Sequence, residues 1–350
     1  MQKKLFLLDA FALIYRAYFA FSKNPRINSK GLNTSAMFGF TNTLLDVLNN
    51  EKPTHIAVCF DTGAPTARHI DYENYKAHRE EMPEDLRRSI PYIKKIIEAF
   101  RIPVIESDGY EADDIIGTLA KKAEQQGFDV YMMTPDKDYG QCVSEHIFMY
   151  KPGLFGKPNE VLGIAEIKEK FGLNRIDQVI DLLGLMGDSA DNIPGIPGVG
   201  EKTAVKLLHE YDTLENVLAN AGNIKGKMGE KIKEHAHLAI LSKQLATIIL
   251  DAPVELDENA LIVEPPDKEK ILDVFGELEF RQLTKRVLGE DLSPGPKEIK
   301  VSQGTLFGDD SGAAENQVAD EAINNESDEA DATSHISLST INDTAHHYHL

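Results

Sequence analysis

The sequence predicts an α/β fold: a mostly parallel sheet with helices on both faces, followed by a mainly helical segment. Short apolar runs alternate with helical patterns over residues 4–140, the alternation that builds parallel sheets. Acidic residues recur where those runs end. Over residues 165–250 the pattern becomes almost wholly helical, broken by one glycine-rich turn.

Leu5-Phe6-Leu7-Leu8 forms the first strand and delivers Asp9. A helix over residues 11–21, a polar loop over 22–33 and a second helix over 35–49 follow, the last with Met37, Phe38, Leu44, Leu45 and Leu48 at core spacing. Ile56 to Phe60 is the next strand, and it delivers Asp61. A basic-aromatic segment over 68–88 leads to a helix expected around 90–100 and a short strand at Val104-Ile105. Glu111 then opens a helix over 112–126, and the strand from Val130 to Thr134 leads to Asp136 and Asp138. A smaller mixed stretch closes the folded part near Leu288. Composition divides the chain at 1–164, 165–289 and an acidic, disordered linker at 290–334, with strand-like alternation resuming over 335–350 as if another domain began there.

The formal charge of −20 is unevenly placed: residues 301–350 hold ten acids and no Lys or Arg, leaving 47 acids and 37 bases in the rest. Net charge therefore does not exclude a nucleic-acid partner. Two cysteines give no disulfide framework, and Cys59 inside an apolar run reads as core, consistent with a reducing cytoplasm. The N-terminal Lys3-Lys4 and apolar run imitate a signal peptide, but Asp9 interrupts the run and no small-residue cleavage site follows. No stretch is long enough to span a membrane.

Nine carboxylates fall in five groups: Asp9; Asp61; Glu111, Asp113 and Asp114; Asp136 and Asp138; Asp188 and Asp191. One acid after a strand is usually a helix cap or turn residue. Capping does not require five groups at one sheet edge, where they would repel one another without cations. Such a set suits Mg²⁺, which takes a few carboxylates plus water and phosphate oxygens, and a pair of ions suits phosphodiester displacement. The turn carrying Gly195, Gly198 and Gly200 reads as a hairpin between helices whose backbone N–H groups hold a phosphate, assisted by Lys202 and Lys206. It imitates a nucleotide-binding loop, but Glu201 stands where a glycine is required. In the basic-aromatic segment, Arg68, Lys76 and Arg79 would draw in a strand while Tyr72 or Tyr75 stacks on a base. Arg16, with Lys23, Arg26 and Lys30, would form a second wall for duplex.

Together these motifs, with Thr134-Pro135-Asp136-Lys137-Asp138 and the run from Gly187 to Gly195, resemble the 5′ nuclease (flap endonuclease) family. The likeness is closest to the N-terminal 5′→3′ exonuclease domain of bacterial DNA polymerase I and covers residues 3–288. It implies a PIN-like core with a helical arch, a helix-hairpin-helix module able to hold K⁺, and cleavage of 5′ flaps, nicked ends or RNA primers by a cytoplasmic, nucleoid-associated monomer. It also implies two Mg²⁺ ions, replaceable by Mn²⁺. Asp9, Asp61, Glu111, Asp113, Asp136 and Asp138 would surround one and Asp188 and Asp191 the other. Asp114 would orient its neighbours, and Lys76 and Arg79 would contact the scissile phosphate. The proofreading-like and polymerase domains of that polymerase have no counterpart in these residues, so the chain is expected to be the N-terminal piece of a longer one. Gln303, Leu306 and Phe307 resemble the peptide by which bacterial replication proteins dock on the sliding clamp. The alternative reading is a non-catalytic DNA-binding scaffold, which need not keep every acid.

Overall fold

The computed structural model describes residues 2–153 and 158–289, all within one compact unit, Met1–Gly295. The expected linker, the strand-like end and the clamp peptide lie outside the described residues.

Six strands form one sheet: β1 (Lys3–Asp9), β2 (His55–Cys59), β3 (Val104–Ile105), β4 (Phe128–Met133), β5 (Ile147–Lys151) and β6 (Glu160–Leu162). Their order is β3-β2-β1-β4-β5-β6, with β1 to β5 parallel and β6 antiparallel at the edge. The chain builds outward from β1 to β3 and then returns to the other side of β1 with β4. The junction between β1 and β4 is therefore the switch point at which α/β sheets bind ligands, beyond the carboxyl ends of the strands. β1 explains the two-layer cover. Leu5 and Leu7 enter one core cluster, Phe6 and Leu8 enter the other, and all four are fully buried, as expected of a parallel strand covered on both faces.

The Phe6 face is covered by α1 (Ala10–Ala20), α2 (Ser35–Asp46) and, beyond the one-turn α3 (Ala67–Asp71), by α4 (Glu84–Ala99). On the other face α5 (Ala112–Gln125) lies against the sheet, and α6 (Ile164–Phe171), α7 (Gln178–Met186), α8 (Glu201–Tyr211), α9 (Leu214–Ala219), α10 (Lys227–Glu234) and α11 (Ala236–Ala246) continue the same core. Two last helices, α12 (Lys268–Leu278) and α13 (Arg281–Leu288), return to the Phe6 face, where Ile271, Phe275 and Leu283 join that core.

β5 and β6 were not expected, and three of the expected elements differ. α4 starts at Glu84 rather than near residue 90, because Glu84 and Asp85 favour a helix start and Pro91 is accommodated inside. The second helix stops at Asp46 and passes into a π-helical turn, Val47–Glu51. Between β2 and α4 the arch segment holds only α3 as regular helix; residues 73–78 are turns.

Candidate active site

The strand ends and helix starts bring most of the acids to one open cleft of about 420 Å³. Asp9, Asp61, Glu111, Asp113, Asp136, Asp138 and Asp191 line it, with Lys76 and Arg79. Asp188 joins from the side: its carboxylate is 2.8 Å from Lys137 Nζ, between Asp136 and Asp138 in the chain.

Each acid is set by its local backbone. Asp9 ends β1 and caps α1, accepting from the Ala12 N–H at 3.1 Å, while Thr134 Oγ1 and Tyr139 OH donate to its other oxygen at 3.1 Å each. Burial pushes its carboxyl up to about 6. Asp61 accepts from the Ala112 N–H at 2.9 Å and so ties β2 to the start of α5; burial raises its carboxyl too. Glu111 caps α5 and receives Lys76 Nζ at 2.8 Å and Tyr75 OH at 3.0 Å. Asp113 is raised well above the carboxylate range by burial, then by Asp114 and Glu111 beside it. Asp138 is pushed up to about 8, by burial first and then by Asp136 and Asp188.

Asp188 and Asp191 are held by a closed turn after α7. Asp188 and Ile193 exchange both backbone hydrogen bonds, at 2.9 and 2.7 Å. Gly187 and Gly195 make this possible: a Cβ on Gly187 would stand 2.4 Å from the Ile193 carbonyl oxygen, and one on Gly195 2.4 Å from the Gly187 nitrogen. Arg79 pairs with Asp191, and the Lys76 N–H donates to the Asp191 carbonyl at 2.9 Å. Lys76 adopts φ 57°, a left-handed geometry that costs a non-glycine residue on the order of 1 kcal/mol and recurs at functional sites.

The donor set fits a hard divalent cation. All the candidate ligands are carboxylates, several are desolvated, and Asp138 Oδ1 is buried with no hydrogen-bond partner. Among the described residues no three His, Cys, Asp or Glu side chains close into a cage. An open carboxylate rim suits an ion that keeps water and shares phosphate oxygens.

Several residues expected at a DNA surface lie elsewhere. Arg68 is buried; its guanidinium holds Asp114 bidentately at 2.8 and 2.7 Å and donates to the Leu245 and Thr247 carbonyls. Every donor group points inward, so it braces the fold. Tyr75 is buried against Glu111 and is no stacking platform, and Tyr72 packs on the core. Arg16 is turned to the carbonyls of Pro152 and Gly153. Gly195 is buried and its N–H is committed to Ser242 Oγ at 2.8 Å, whereas Gly198 and Gly200 are exposed. Lys202 and Lys206 are exposed on α8. Asp114, fully buried, also accepts from the Glu111 and Ile249 N–H groups, as expected of an orienting residue.

Sequence reasoning quoted Thr134 and Lys137 inside a motif without giving either a role, and it missed Tyr139 and an aromatic row, Phe11, Tyr15 and Phe19, along the cleft wall. The row was visible as a four-residue spacing beginning two residues after Asp9.

An acid-centred cleft at a sheet switch point, lined also by Lys76 and Arg79, suits divalent cations and a phosphate-bearing chain. The chain matches the model of the 5′-3′ exonuclease N-terminal resolvase-like domain over residues 4–172 and that of the 5′-3′ exonuclease C-terminal SAM fold over 175–269. It is 38% identical over 285 residues to a 5′-3′ exonuclease of Aquifex aeolicus, covering 81% of this chain and 95% of that protein. It is 42% identical over 326 residues to DNA polymerase I of Bacillus caldotenax, covering 92% of this chain and 36% of that polymerase. The chain thus spans about a third of the polymerases it matches. Among solved structures, T5 5′-exonuclease with bound zinc superposes with a TM-score of 0.58 at 19% identity, over 82% of this chain and 98% of that one. The catalytic core of Rad2 with a DNA substrate gives 0.52 at 19%, over 83% and 90%. The chain belongs to the 5′-3′ exonuclease family.

Proposed function

We propose that the chain is a divalent-metal-dependent structure-specific 5′ nuclease that hydrolyses phosphodiester bonds near 5′ ends and flaps in DNA. The observation that carries the reading is the convergence of desolvated carboxylates at the switch point, with Asp138 Oδ1 buried and unpartnered. Bound Mg²⁺ or Mn²⁺, two ions in the reading we favour, would supply a water-derived nucleophile at neutral pH and offset charge on the leaving oxygen. Asp9, Asp61, Glu111, Asp113, Asp136 and Asp138 are the residues to hold one ion, with Asp188 and Asp191 toward the second. Lys76 and Arg79 stand at the cleft rim to neutralise the scissile phosphate. The exposed turn at Gly198 and Gly200 supports duplex binding through backbone phosphates, with K⁺ as a candidate ion there.

The test is a 5′-labelled flap, nick or RNA-primed substrate incubated with Mg²⁺, Mn²⁺ or chelator, with product lengths resolved. Cleavage near the junction that ceases in chelator is expected; cleavage undiminished by chelator rejects the mechanism. The likeness to DNA polymerase I further supports a role in repair and primer removal as the N-terminal part of such a polymerase. A sliding clamp is the partner proposed for Gln303, Leu306 and Phe307. Replacing both Leu306 and Phe307 by Ala should abolish clamp binding and spare flap cleavage, and unchanged affinity refutes that partner.

A further inference from the structure

The sequence of the exposed hairpin recurs once. Ile196-Pro197-Gly198-Val199-Gly200-Glu201-Lys202 is echoed, with one residue inserted, by Ile224-Lys225-Gly226-Lys227-Met228-Gly229-Glu230-Lys231. In both copies the third residue is a left-handed glycine, φ 85° at Gly198 and 76° at Gly226, and a helix follows, α8 or α10. Both isoleucines pack on the same core. Gly229 keeps α10 tight on its own turn, since a Cβ there would lie 2.2 Å from the Ile224 carbonyl oxygen. The second copy carries Lys225 and Lys227 where the first has Pro197 and Val199.

The two copies meet in space. Lys231 Nζ lies 2.8 Å from the point where a Cβ on Gly198 would stand, so α10 brings an ammonium group onto the exposed loop of the first hairpin. Lys227 precedes it by one helical turn and shares its face. Lys202 and Lys206 repeat that spacing on α8. All four lysines are exposed, and none makes an ion pair among the described residues. Ile232, fully buried, fixes α10 in place, so the charges sit on a rigid element.

We propose that Lys227 and Lys231 extend the first hairpin into a continuous track for the phosphate backbone of duplex DNA, so that two successive turns hold the duplex. The inference rests on the nuclease reading. A duplex fits better than a single strand because residues 221–235 contain no Phe, Tyr or Trp, and single-strand grooves rely on aromatic stacking. Lysine ammonium groups at a backbone act independently of sequence and release counterions, which makes their number measurable.

The experiment is equilibrium binding of the full chain to a fluorescent flapped duplex in Ca²⁺ over a salt series. Lys227→Gln, Lys231→Gln and the double variant are compared with wild type and with Lys52→Gln, a control at the exposed residue between the π-helical turn and the start of β2. Each lysine contact should remove about 0.9 from the slope of log K against log salt, so the double variant should lose roughly 1.8 and Lys52→Gln nothing. With Mg²⁺, the loss should fall on KM rather than kcat. Wild-type slopes in the double variant, or a loss confined to kcat, overturn the track. Failure of the wild-type chain itself to bind or cut the flap would instead overturn the nuclease reading.

Discussion

The nine acids in and around the cleft differ in what each carboxylate touches. Asp9, Asp61 and Asp114 all accept backbone N–H groups: Asp9 caps α1, Asp61 ties the end of β2 to the start of α5, and Asp114 ties α5 to the segment after α11. Asp138 is different, because Oδ1 is buried without a partner. Unfolded, an aspartate titrates near about 3.9; in the fold Asp138 keeps its proton up to about 8. A folded pKa raised above the unfolded one means that stability is lost as pH rises through that window, and the penalty is complete above it. Asp138→Asn removes the penalty. At pH 8.5 in chelator the variant should therefore be more stable than wild type, by roughly 1 kcal/mol after allowance for solvent screening, while flap turnover falls at least about a hundredfold. Thermal denaturation and a single-turnover assay check the pair. A lower midpoint would contradict the burial argument, and wild-type turnover would remove Asp138 from the site.

At the scale of elements, α3 is anchored from within the fold by Arg68, beside a surface bond from Gln244 to Asp71 at 3.0 Å. Arg68 ties α3 to Asp114 on α5 and to the carbonyls of Leu245 and Thr247 at the end of α11. Breaking a buried pair leaves an uncompensated charge, at a cost of about 3–5 kcal/mol. Arg68→Ala should lower the urea midpoint accordingly and leave the salt slope of DNA binding unchanged in the folded fraction. A smaller slope with normal stability would return Arg68 to the DNA surface. The sequence showed Arg68 only as one base in a basic-aromatic segment, since its partner lies 46 residues away in the chain. For the same reason Gly195 could be assigned to a turn but not to the close approach with Gly187 that removes it from any ligand. What was legible was local: strand runs ending in acids, and a glycine turn between helices. The arch was harder, because residues 73–78 lack the periodicity that marks an element and are held instead by contacts such as Lys76 to Asp191.

At the scale of the whole molecule, the two stretches matched by the family models share their cores. Leu5, Leu7, Ile115 and Leu119 from the sheet side pack in one cluster with Val179, Leu182, Leu208 and Leu245 from the helical side. Gly117 marks how close they come, since a Cβ there would lie 2.8 Å from the Ile248 side chain. On the opposite face Phe275 is fully buried in the Phe6 cluster. A fragment ending at residue 172 would therefore uncover apolar surface on both sides of the sheet, on the outer sides of α5 and α4, besides losing Asp188 and Asp191. Buried apolar area contributes roughly 25 cal/mol per Å², and whole domains are stable by only about 5–15 kcal/mol, so exposing apolar surface on both sides is expected to exceed the margin. The fragment 2–172 should keep far-UV helicity but lose near-UV signal and bind a hydrophobic dye, as loosely packed states do, and Mg²⁺ should not restore it. The chain 2–289 should unfold in one cooperative transition. Cooperative unfolding of the shorter fragment at the midpoint of the longer one would show that the sheet stands alone, and that the helical part only supplies the second pair of acids and the hairpin.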